Sequence, residues 1–299
     1  MPDMSFVVLH YLNYAETNEC IESLLQLDDF GSNKIVVIDN NSGNGSYERL
    51  CDTYSTTDSV ILRHLDDNLG FARGNDAGYR IAREELGSDT IIILNNDVKI
   101  QQSDFIERVE EFRARGYDVI GPDVYDSRRG THQNPFIRSD KYMKEYLLDS
   151  AWYLYYKVLP WSISSRLFNF VRRKTMFLKT DSREGIAKTQ ALYRQERENV
   201  LLHGSCLVFT NHFVQNEVIA FDPRTFLYHE EVLLEMHCKD RGYKMIYAPS
   251  LRVVHNSSAS DDMVSDAELK NAKLTKLSAS MQSNRVVRRV IRQAKSRRK

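Results

Sequence analysis

A buried strand that ends directly in two amides and a carboxylate is the feature that most restricts the fold of this chain. Thr90–Val98 reads T-I-I-I-L-N-N-D-V, so an unbroken apolar run is followed by Asn95, Asn96 and Asp97. Such a run is typical of a strand buried on both faces of a parallel sheet. Ligands of open α/β sheets bind beyond the carboxyl ends of these strands. Asp97 is therefore the first candidate for chemistry, although Asn-Asn-Asp is equally typical of a simple turn.

Strand-like and helix-like stretches alternate through the first 123 residues. The predicted strands are 4–9, Lys34–Asp39, Val60–Leu62, Ile91–Leu94 and Asp118–Gly121. The predicted helices are Asn18–Leu27, Tyr47–Tyr54, Asp76–Leu86 and Phe105–Arg115, with Asn18 as a helix cap. This alternation predicts βαβ units and a mostly parallel, Rossmann-like sheet flanked by helices. Right-handed crossovers bring strand ends to one edge, so Asp39 and Asp97 are expected to face one crevice.

A loop at Asn68–Asn75 is expected to open onto the same edge. It reads N-L-G-F-A-R-G-N and matches neither the dinucleotide-binding pattern nor the P-loop. Its two glycines would let a ligand approach the backbone, and Arg73 could contact a phosphate. The alternatives stay open at this point: Arg73 as a solvated residue at a helix start, and Asp39 as a turn residue bonded to its own backbone.

Composition restricts the function classes less than the distribution of charge does. Basic and acidic side chains each number 41, so net charge indicates no partner, but the last fifteen residues hold eight basic and no acidic side chains. The four cysteines form no C-x-x-C pair, which predicts free thiols rather than zinc ligands or disulfides. The N-terminus does not read as a signal peptide and no apolar window could span a membrane, so a cytoplasmic location is expected.

Four motifs of the first half resemble, in order and spacing, those of family 2 glycosyltransferases. They read V-V-L-H-Y-L-N-Y, V-V-I-D-N-N-S-G-N-G-S, N-L-G-F-A-R-G-N-D-A-G and I-I-I-L-N-N-D-V. The closest likeness is to the rhamnosyltransferase-like branch that builds bacterial surface polysaccharides. The resemblance implies a GT-A fold and a nucleotide-sugar donor, either a dTDP-sugar, with rhamnose as the first guess, or a UDP-sugar.

The resemblance also implies roles for individual residues on the donor side. Asp39 would contact the base or ribose, and Asp97 would hold a divalent metal, Mn²⁺ or Mg²⁺, on the diphosphate. Asn95 replaces the first carboxylate of a full D-x-D motif, so the metal is expected to enter mainly with the donor phosphates. The other positions implied to lie against the donor are Tyr11, Arg73, Asn75, Asn95 and Asn96.

The acceptor side is expected between residues 201 and 260. There F-L-Y-H-E-E leads into a helical pattern, Glu230–Arg241, that ends at Gly242. Acids at a helix start favour the helix dipole, which is a sufficient structural reason for them. A carboxylate there could also remove the proton of an acceptor hydroxyl. The resemblance puts Glu231 at the position of the catalytic aspartate and Glu230 before it, and either could be the base.

A late histidine completes the predicted metal site. His255 follows an apolar run, Leu251–Val254, and precedes Asn256. A lone histidine is usually structural. The resemblance implies instead that His255 ligates the metal or contacts the phosphates.

Two further segments are expected outside the two halves of the GT-A domain, 1–123 and 201–260. The first is a helical aromatic and basic insertion at 124–200. Its richest part, Lys141–Lys174, is typical either of helices packed on a core or in a homodimer, or of a segment at a membrane interface. The second is a helical basic tail at 261–299. Its end, Arg285–Lys299, suits an anionic membrane surface, and a solvated tail is the alternative. No nucleic-acid reader module accompanies it.

The function predicted from these observations is an inverting, metal-dependent glycosyltransferase of bacterial surface polysaccharide synthesis, cytoplasmic or peripheral on the inner face of the membrane. It would move a sugar to a hydroxyl of a glycan or lipid-linked acceptor. The alternative is a non-catalytic scaffold of the same fold, because the D-x-D motif lacks its first carboxylate. The enzyme hypothesis requires Asp97 and Glu231 to share one cleft.

Overall fold

A computed structural model describes residues 4–135, 142–159, 192–256 and 266–297 of the chain. Its strands are β1 Met4–His10, β2 Lys34–Asp39, β3 Val60–His64, β4 Thr90–Asn95, β5 Val98–Lys99, β6 Val119–Asp126, β7 Thr131–His132, β8 Arg197–Glu198, β9 Cys206–Phe209 and β10 Met245–His255. Its helices are α1 Tyr14–Leu25, α2 Ser46–Tyr54, α3 Gly70–Arg80, α4 Phe105–Ala114, α5 Tyr142–Val158, α6 Asn211–Asn216, α7 Glu230–Arg241 and α8 Asp266–Arg297, and one π-helical turn, Ile81–Glu85, continues α3.

All the described strands belong to one sheet. Its order is β3-β2-β1-β4-β9-β6-β10-β5, with β7 on β6 and β8 on β10. β3, β2, β1 and β4 are parallel to one another, and β6 is parallel to β10. β9 runs antiparallel between β4 and β6 and joins the two parallel parts. The predicted α/β fold is therefore confirmed.

Helices cover both faces of the sheet, which explains its unbroken apolar strands. Successive side chains of a strand point to opposite faces. On β1, Phe6 and Val8 pack in the core formed with α1, α2 and α4, whereas Val7 packs in the core formed with α3, α6 and α7. Gly78 lets α3 approach closely, because a Cβ there would lie 2.4 Å from Val7 Cγ1. All four cysteines are free thiols, as expected.

Strand pairing decides which polar residues meet at the carboxyl ends. The register of β1, β2 and β3 aligns His10 with Asp39, and Asp39 with His64. On the other side of the sheet, the two-residue strand β5 pairs with β10 and aligns Val98 with His255. The residue before Val98 is thereby brought beside the end of β10.

Several predicted boundaries are wrong, and one changes the interpretation of a motif. α1 begins at Tyr14, because Asn13 Oδ1 rather than Asn18 accepts a hydrogen bond from the first turn. α3 begins at Gly70, so most of the loop predicted at Asn68–Asn75 is helical.

The predicted insertion at 124–200 contributes to the sheet. β6 continues to Asp126, and β7 and β8 both lie in this range. The aromatic segment is described only as far as Leu159; within it α5 is a single helix that packs against α8. The rest of Lys141–Lys174 lies outside the described residues.

The predicted basic tail is a helix whose apolar stripe is covered. Val287 is fully buried in a small cluster with Leu201, Val232 and Leu233 of the acceptor half. The neighbouring stripe residues that pack on this cluster are Val286, Val290 and Ile291. This stripe therefore packs against the acceptor half of the protein. No helix in the described ranges is long and apolar enough to cross a bilayer.

Candidate active site

Asp97 and His255 are in contact, as the metal-site hypothesis requires. His255 Nε2 lies 3.2 Å from Asp97 Oδ1, although the two residues are far apart in the chain. Asn256 holds the turn around them, since its backbone N–H donates to the Asp97 carbonyl at 2.9 Å. His255 Nδ1 lies 2.7 Å from Gln133 Oε1, which can only accept a hydrogen bond. Nδ1 therefore carries a hydrogen.

This arrangement fits a bound cation. With Nδ1 bonded to Gln133, the His255 ring turns Nε2 toward Asp97 Oδ1. Asp97 Oδ1 is itself buried and has no hydrogen-bond donor in the described part of the chain. Imidazole nitrogen and carboxylate oxygen are ligands suited to a divalent metal. Among the described residues no group of three or more such ligands is present, so phosphates and water would have to complete the coordination.

Glu16 is a second buried acid near this pair, and sequence reasoning missed it. Its Oε1 accepts a hydrogen bond from Asn256 Nδ2 at 2.8 Å, whereas Oε2 is buried without a partner among the described residues. Burial, together with the charge of Asp97, raises the pKa of Glu16. The Asp97 region thus concentrates negative charge that a cation would offset.

The two glutamates at the start of α7 have different environments. Glu230 is 2 % exposed, and its Oε1 has no partner within the described ranges. Burial and the charge of Glu231 raise the pKa of Glu230 to about 8. Burial also raises the pKa of Glu231, but the N–H of Gly204 donates to its carboxylate and favours the ionised form. Thr225 likewise donates to the Glu230 carboxylate, so both acids are carboxyl groups with raised pKa values and hydrogen-bond donors that favour the ionised form.

His203 and Gly204 lie between the two acidic sites. A Cβ on Gly204 would lie 2.6 Å from Glu231 Oε1, so glycine leaves the room that this carboxylate occupies. The rings of His203 and His255 meet edge to face with centroids 5.8 Å apart. Burial and the neighbouring His255 lower the pKa of His203 to about 4, which keeps His203 neutral. The segment thus connects the Asp97–His255 pair to Glu231.

Asp39 is buried under its own partners. It is fully buried, and its carboxylate accepts hydrogen bonds from the Ser42 hydroxyl and from His64 Nδ1, the latter at 2.6 Å. Burial lowers the pKa of neighbouring His10, although the charge of Asp39 opposes this effect. The His64 side chain is 41 % exposed. The exposed side chain at this strand end is therefore that of His64, which sequence reasoning missed although it ends a strand in the same way as Asp39.

The other residues expected to contact the nucleotide sugar differ in how exposed they are. Tyr11 follows β1 and is 45 % exposed, and Arg73 is exposed on α3. Asn95 ends β4 half-buried, and Asn96 Nδ2 donates to an α1 hydroxyl, Thr17 Oγ1, at 3.0 Å.

Asn75, the other position implied to lie against the nucleotide sugar, is buried, and its Oδ1 has no hydrogen-bond partner among the described residues. It is 1 % exposed, and its Nδ2 donates to the Phe71 carbonyl one turn earlier. The cause is the early start of α3, which turns this side chain into the helix packing.

The N-L-G part of the third motif is a structural joint. Asn40 Oδ1 accepts the N–H of Leu69 at 2.8 Å, and its Nδ2 donates to Asn68 Oδ1 at 3.0 Å. Gly70 has a φ of +76°, and a Cβ there would lie 2.3 Å from the Phe226 carbonyl oxygen. The joint fastens the end of β2 to the start of α3, and the start of α3 to the segment before α7.

The family follows from a match to a family model. The model described as Glycosyl transferase family 2 matches residues 5–196, more than half of the chain, and the chain belongs to this family. The family predicted from the four motifs is thereby confirmed, and transferase activity is the property that the family supports.

Individual relatives are distant. Low-salt glycan biosynthesis hexosyltransferase Agl10 of Haloferax volcanii is 24 % identical over 124 residues, which are 42 % of this chain and 37 % of Agl10. The crystal structure of S. aureus TarS 1–349 superposes with a TM-score of 0.52 at 11 % identity, covering 94 % of this chain and 71 % of that one. The same TarS fragment in complex with UDP has a TM-score of 0.51 at 12 % identity and covers 93 % and 65 %. These likenesses confirm the GT-A fold, and this chain spans little more than a third of Agl10.

Proposed function

We propose that this protein is an inverting glycosyltransferase that moves a sugar from a nucleotide donor to a hydroxyl of a glycan or lipid-linked acceptor. One observation carries the proposal. The Asp97–His255 pair adjoins His203 and the Glu231 carboxylate adjoins Gly204, so both acidic sites border one short segment at the carboxyl end of the sheet. A site for the donor phosphates and a base for the acceptor must lie side by side to act on one sugar.

The donor side is assigned to Asp97 and His255. These residues would hold Mn²⁺ or Mg²⁺, which would neutralise the charge that develops on the leaving diphosphate. Tyr11, Arg73 and His64 are exposed at positions near the strand ends where the nucleotide is expected.

The acceptor side is assigned to Glu231. Its carboxylate would take the proton of the acceptor hydroxyl as that oxygen bonds to the anomeric carbon. The bond from the anomeric carbon to the diphosphate oxygen breaks on the opposite face, and the electron pair leaves with the nucleoside diphosphate. Attack opposite the leaving group inverts the configuration. The hydrogen bond from the Gly204 N–H favours the ionised form of Glu231 that a base requires.

The donor is proposed to be a dTDP-sugar, with rhamnose first, or a UDP-sugar. The motif likeness to rhamnosyltransferases supports the first, and the UDP complex of TarS supports the second. Thermal shift with UDP-, dTDP- and GDP-sugars in the presence of Mn²⁺ would choose between them, because a ligand that binds only the folded state raises the melting temperature.

Variants test the two assigned carboxylates. Asp97→Ala and Glu231→Gln are each expected to lower sugar transfer roughly 100-fold or more with folding intact. Asp240→Asn makes the same kind of change as Glu231→Gln at an exposed position of α7 and should transfer sugar normally. Wild-type transfer by a folded Glu231→Gln variant would contradict the assignment. Donor binding without any transfer in the wild type would support the scaffold instead.

We also propose that the protein acts at the cytoplasmic surface of an anionic membrane. α5 exposes apolar side chains, with Leu154 62 % and Val158 70 % exposed, and the adjacent α8 carries exposed Arg285 and Arg289. Sedimentation with vesicles would test this proposal. Binding to vesicles containing phosphatidylglycerol that weakens in Leu154→Ser supports it, and equal recovery with neutral vesicles contradicts it.

A further inference from the structure

Two hydrogen-bonding side chains, Gln133 and Asp126, stand in series behind the Asp97–His255 pair. His255 Nδ1 contacts Gln133 Oε1 at 2.7 Å, and Gln133 Nε2 donates to Asp126 Oδ2 at 3.2 Å. Gln133 lies just after β7, and its backbone N–H donates to the Val124 carbonyl at 2.8 Å. The backbone that carries the Gln133 side chain is therefore fixed to the sheet.

Asp126 determines which way the Gln133 amide points. The Asp126 side chain is fully buried, and its Oδ1 accepts the backbone N–H groups of Arg128 and Arg129 at 3.1 and 3.0 Å. A carboxylate can accept but cannot donate, so the Gln133 NH₂ group must face it. The Gln133 carbonyl oxygen must then face His255, which requires the hydrogen on Nδ1.

A hydrogen on Nδ1 leaves Nε2 of His255 available as a metal ligand. An imidazole that is free in water can carry its hydrogen on either nitrogen, and only the Nδ1–H form offers Nε2 as a ligand. Outer partners that orient a metal-binding histidine typically contribute 10- to 100-fold to metal affinity. Such a partner matters most where few protein ligands are present, as at a D-x-D motif that lacks its first carboxylate.

We propose that Asp126 and Gln133 are positioning residues that hold His255 in its metal-binding tautomer. The inference rests on the proposed function, since it takes Asp97 and His255 to be the metal ligands. It adds that the ligand strength of His255 is determined by a glutamine on another strand connection, which the motifs of the family resemblance did not indicate.

The first test measures Mn²⁺ binding in the presence of UDP, by electron paramagnetic resonance of free Mn²⁺. Gln133→Met keeps the side-chain length and removes both hydrogen bonds. We expect it to raise the Mn²⁺ dissociation constant roughly 10- to 100-fold. Gln102→Met is the matched control, because Gln102 also bridges to β10, at Ser250 and Arg252, away from His255. Its dissociation constant should stay at the wild-type value.

The second test reads the tautomer directly in metal-free protein, from the ring nitrogen signals of ¹⁵N-histidine. His255 should show Nδ1–H in the wild type and in Gln102→Met, and lose this preference in Gln133→Met. Unchanged tautomer and unchanged Mn²⁺ affinity in folded Gln133→Met would overturn the inference while leaving the metal site intact. If His255→Ala also binds Mn²⁺ like the wild type, the proposed metal site fails and the inference fails with it.

Discussion

Replacing Asp76 by asparagine should change how stability depends on pH. Asp76 lies on α3 and is 5 % exposed. Its Oδ1 accepts the backbone N–H groups of Ala220 and Phe221 at 2.9 and 3.1 Å, which fastens α3 to the segment that leads to α7. Its Oδ2 is buried and has no hydrogen-bond partner in the part of the chain that is described. Burial raises the pKa of Asp76 to about 7, although the two N–H groups oppose this shift.

The direction in which stability changes with pH follows from the pKa of Asp76 in the unfolded and in the folded state. The pKa of Asp76 is 3.8 in the unfolded chain and about 7 in the folded one, so stability is lost as the pH rises through this interval. At about 1.4 kcal/mol per pKa unit, ionisation of Asp76 lowers the free energy of unfolding by about 2 kcal/mol at pH 5 and about 4 kcal/mol at pH 8. Asparagine keeps the acceptor oxygen and does not ionise. The difference between variant and wild type should therefore rise by about 2–3 kcal/mol from pH 5 to pH 8 in favour of the variant.

Urea unfolding of both proteins from pH 5 to pH 8 measures this difference. Using the change with pH removes the constant cost of burying the new amide. Asp222→Asn is the control, at the residue that follows the backbone segment bonded to Asp76. Burial opposes ionisation of Asp222, but hydrogen bonds and charge from Arg224 outweigh it and hold the pKa of Asp222 below its usual value. The charge of Asp222 is the smallest contribution to the shifted pKa of Asp76, so the difference between Asp222→Asn and wild type should change far less over this pH range. A difference for Asp76→Asn that changes no more than that of this control would refute the reasoning.

Two glycine substitutions separate a steric effect on catalysis from one on folding. Gly204→Ala places a Cβ 2.6 Å from Glu231 Oε1, so the carboxylate must move. Turnover should therefore fall roughly 10- to 100-fold, while the melting temperature changes little. Unchanged turnover in a transfer assay would remove Glu231 from the mechanism. Gly70→Ala places a Cβ 2.3 Å from the Phe226 carbonyl at a φ of +76°. It should lower the free energy of unfolding by about 2–3 kcal/mol or more, and an unchanged urea midpoint would show that α3 and the α7 segment are not joined there.

Local patterns were sufficient to predict the donor half of the fold. The apolar runs at β2 and β4 are fully buried, as is that of β1 as far as Val8, and buried parallel strands require such runs. Asp39 and Asp97 were found because both follow a strand in the same direction. The start of α3 was not predictable in the same way, because Gly70 is held by Asn40 and Phe226, which come from other parts of the chain.

Contacts between distant residues account for what the sequence did not predict in the site. Asp97 meets His255 only because β5, a strand of two residues, pairs with β10. Gln133 and His203 are ordinary polar residues in their local sequence, and no spacing rule marks them. Their importance appears only when strands from both halves of the chain place them against His255.

Only one half of the candidate site lies within the range that the family model matches. The matched range, 5–196, contains Asp97 but ends before Glu231 and His255, so the family model alone says nothing about a base or a second ligand. Strand pairing brings these later residues to Asp97, because β9 runs between β4 and β6, and β10 pairs with both β6 and β5. A chain cut before β10 would keep all four donor motifs and lose the His255 contact. If Asp97 and His255 hold the metal as proposed, binding of the donor diphosphate should depend on completing the sheet through β10, whereas nucleoside contacts near the ends of β1, β2 and β3 should not.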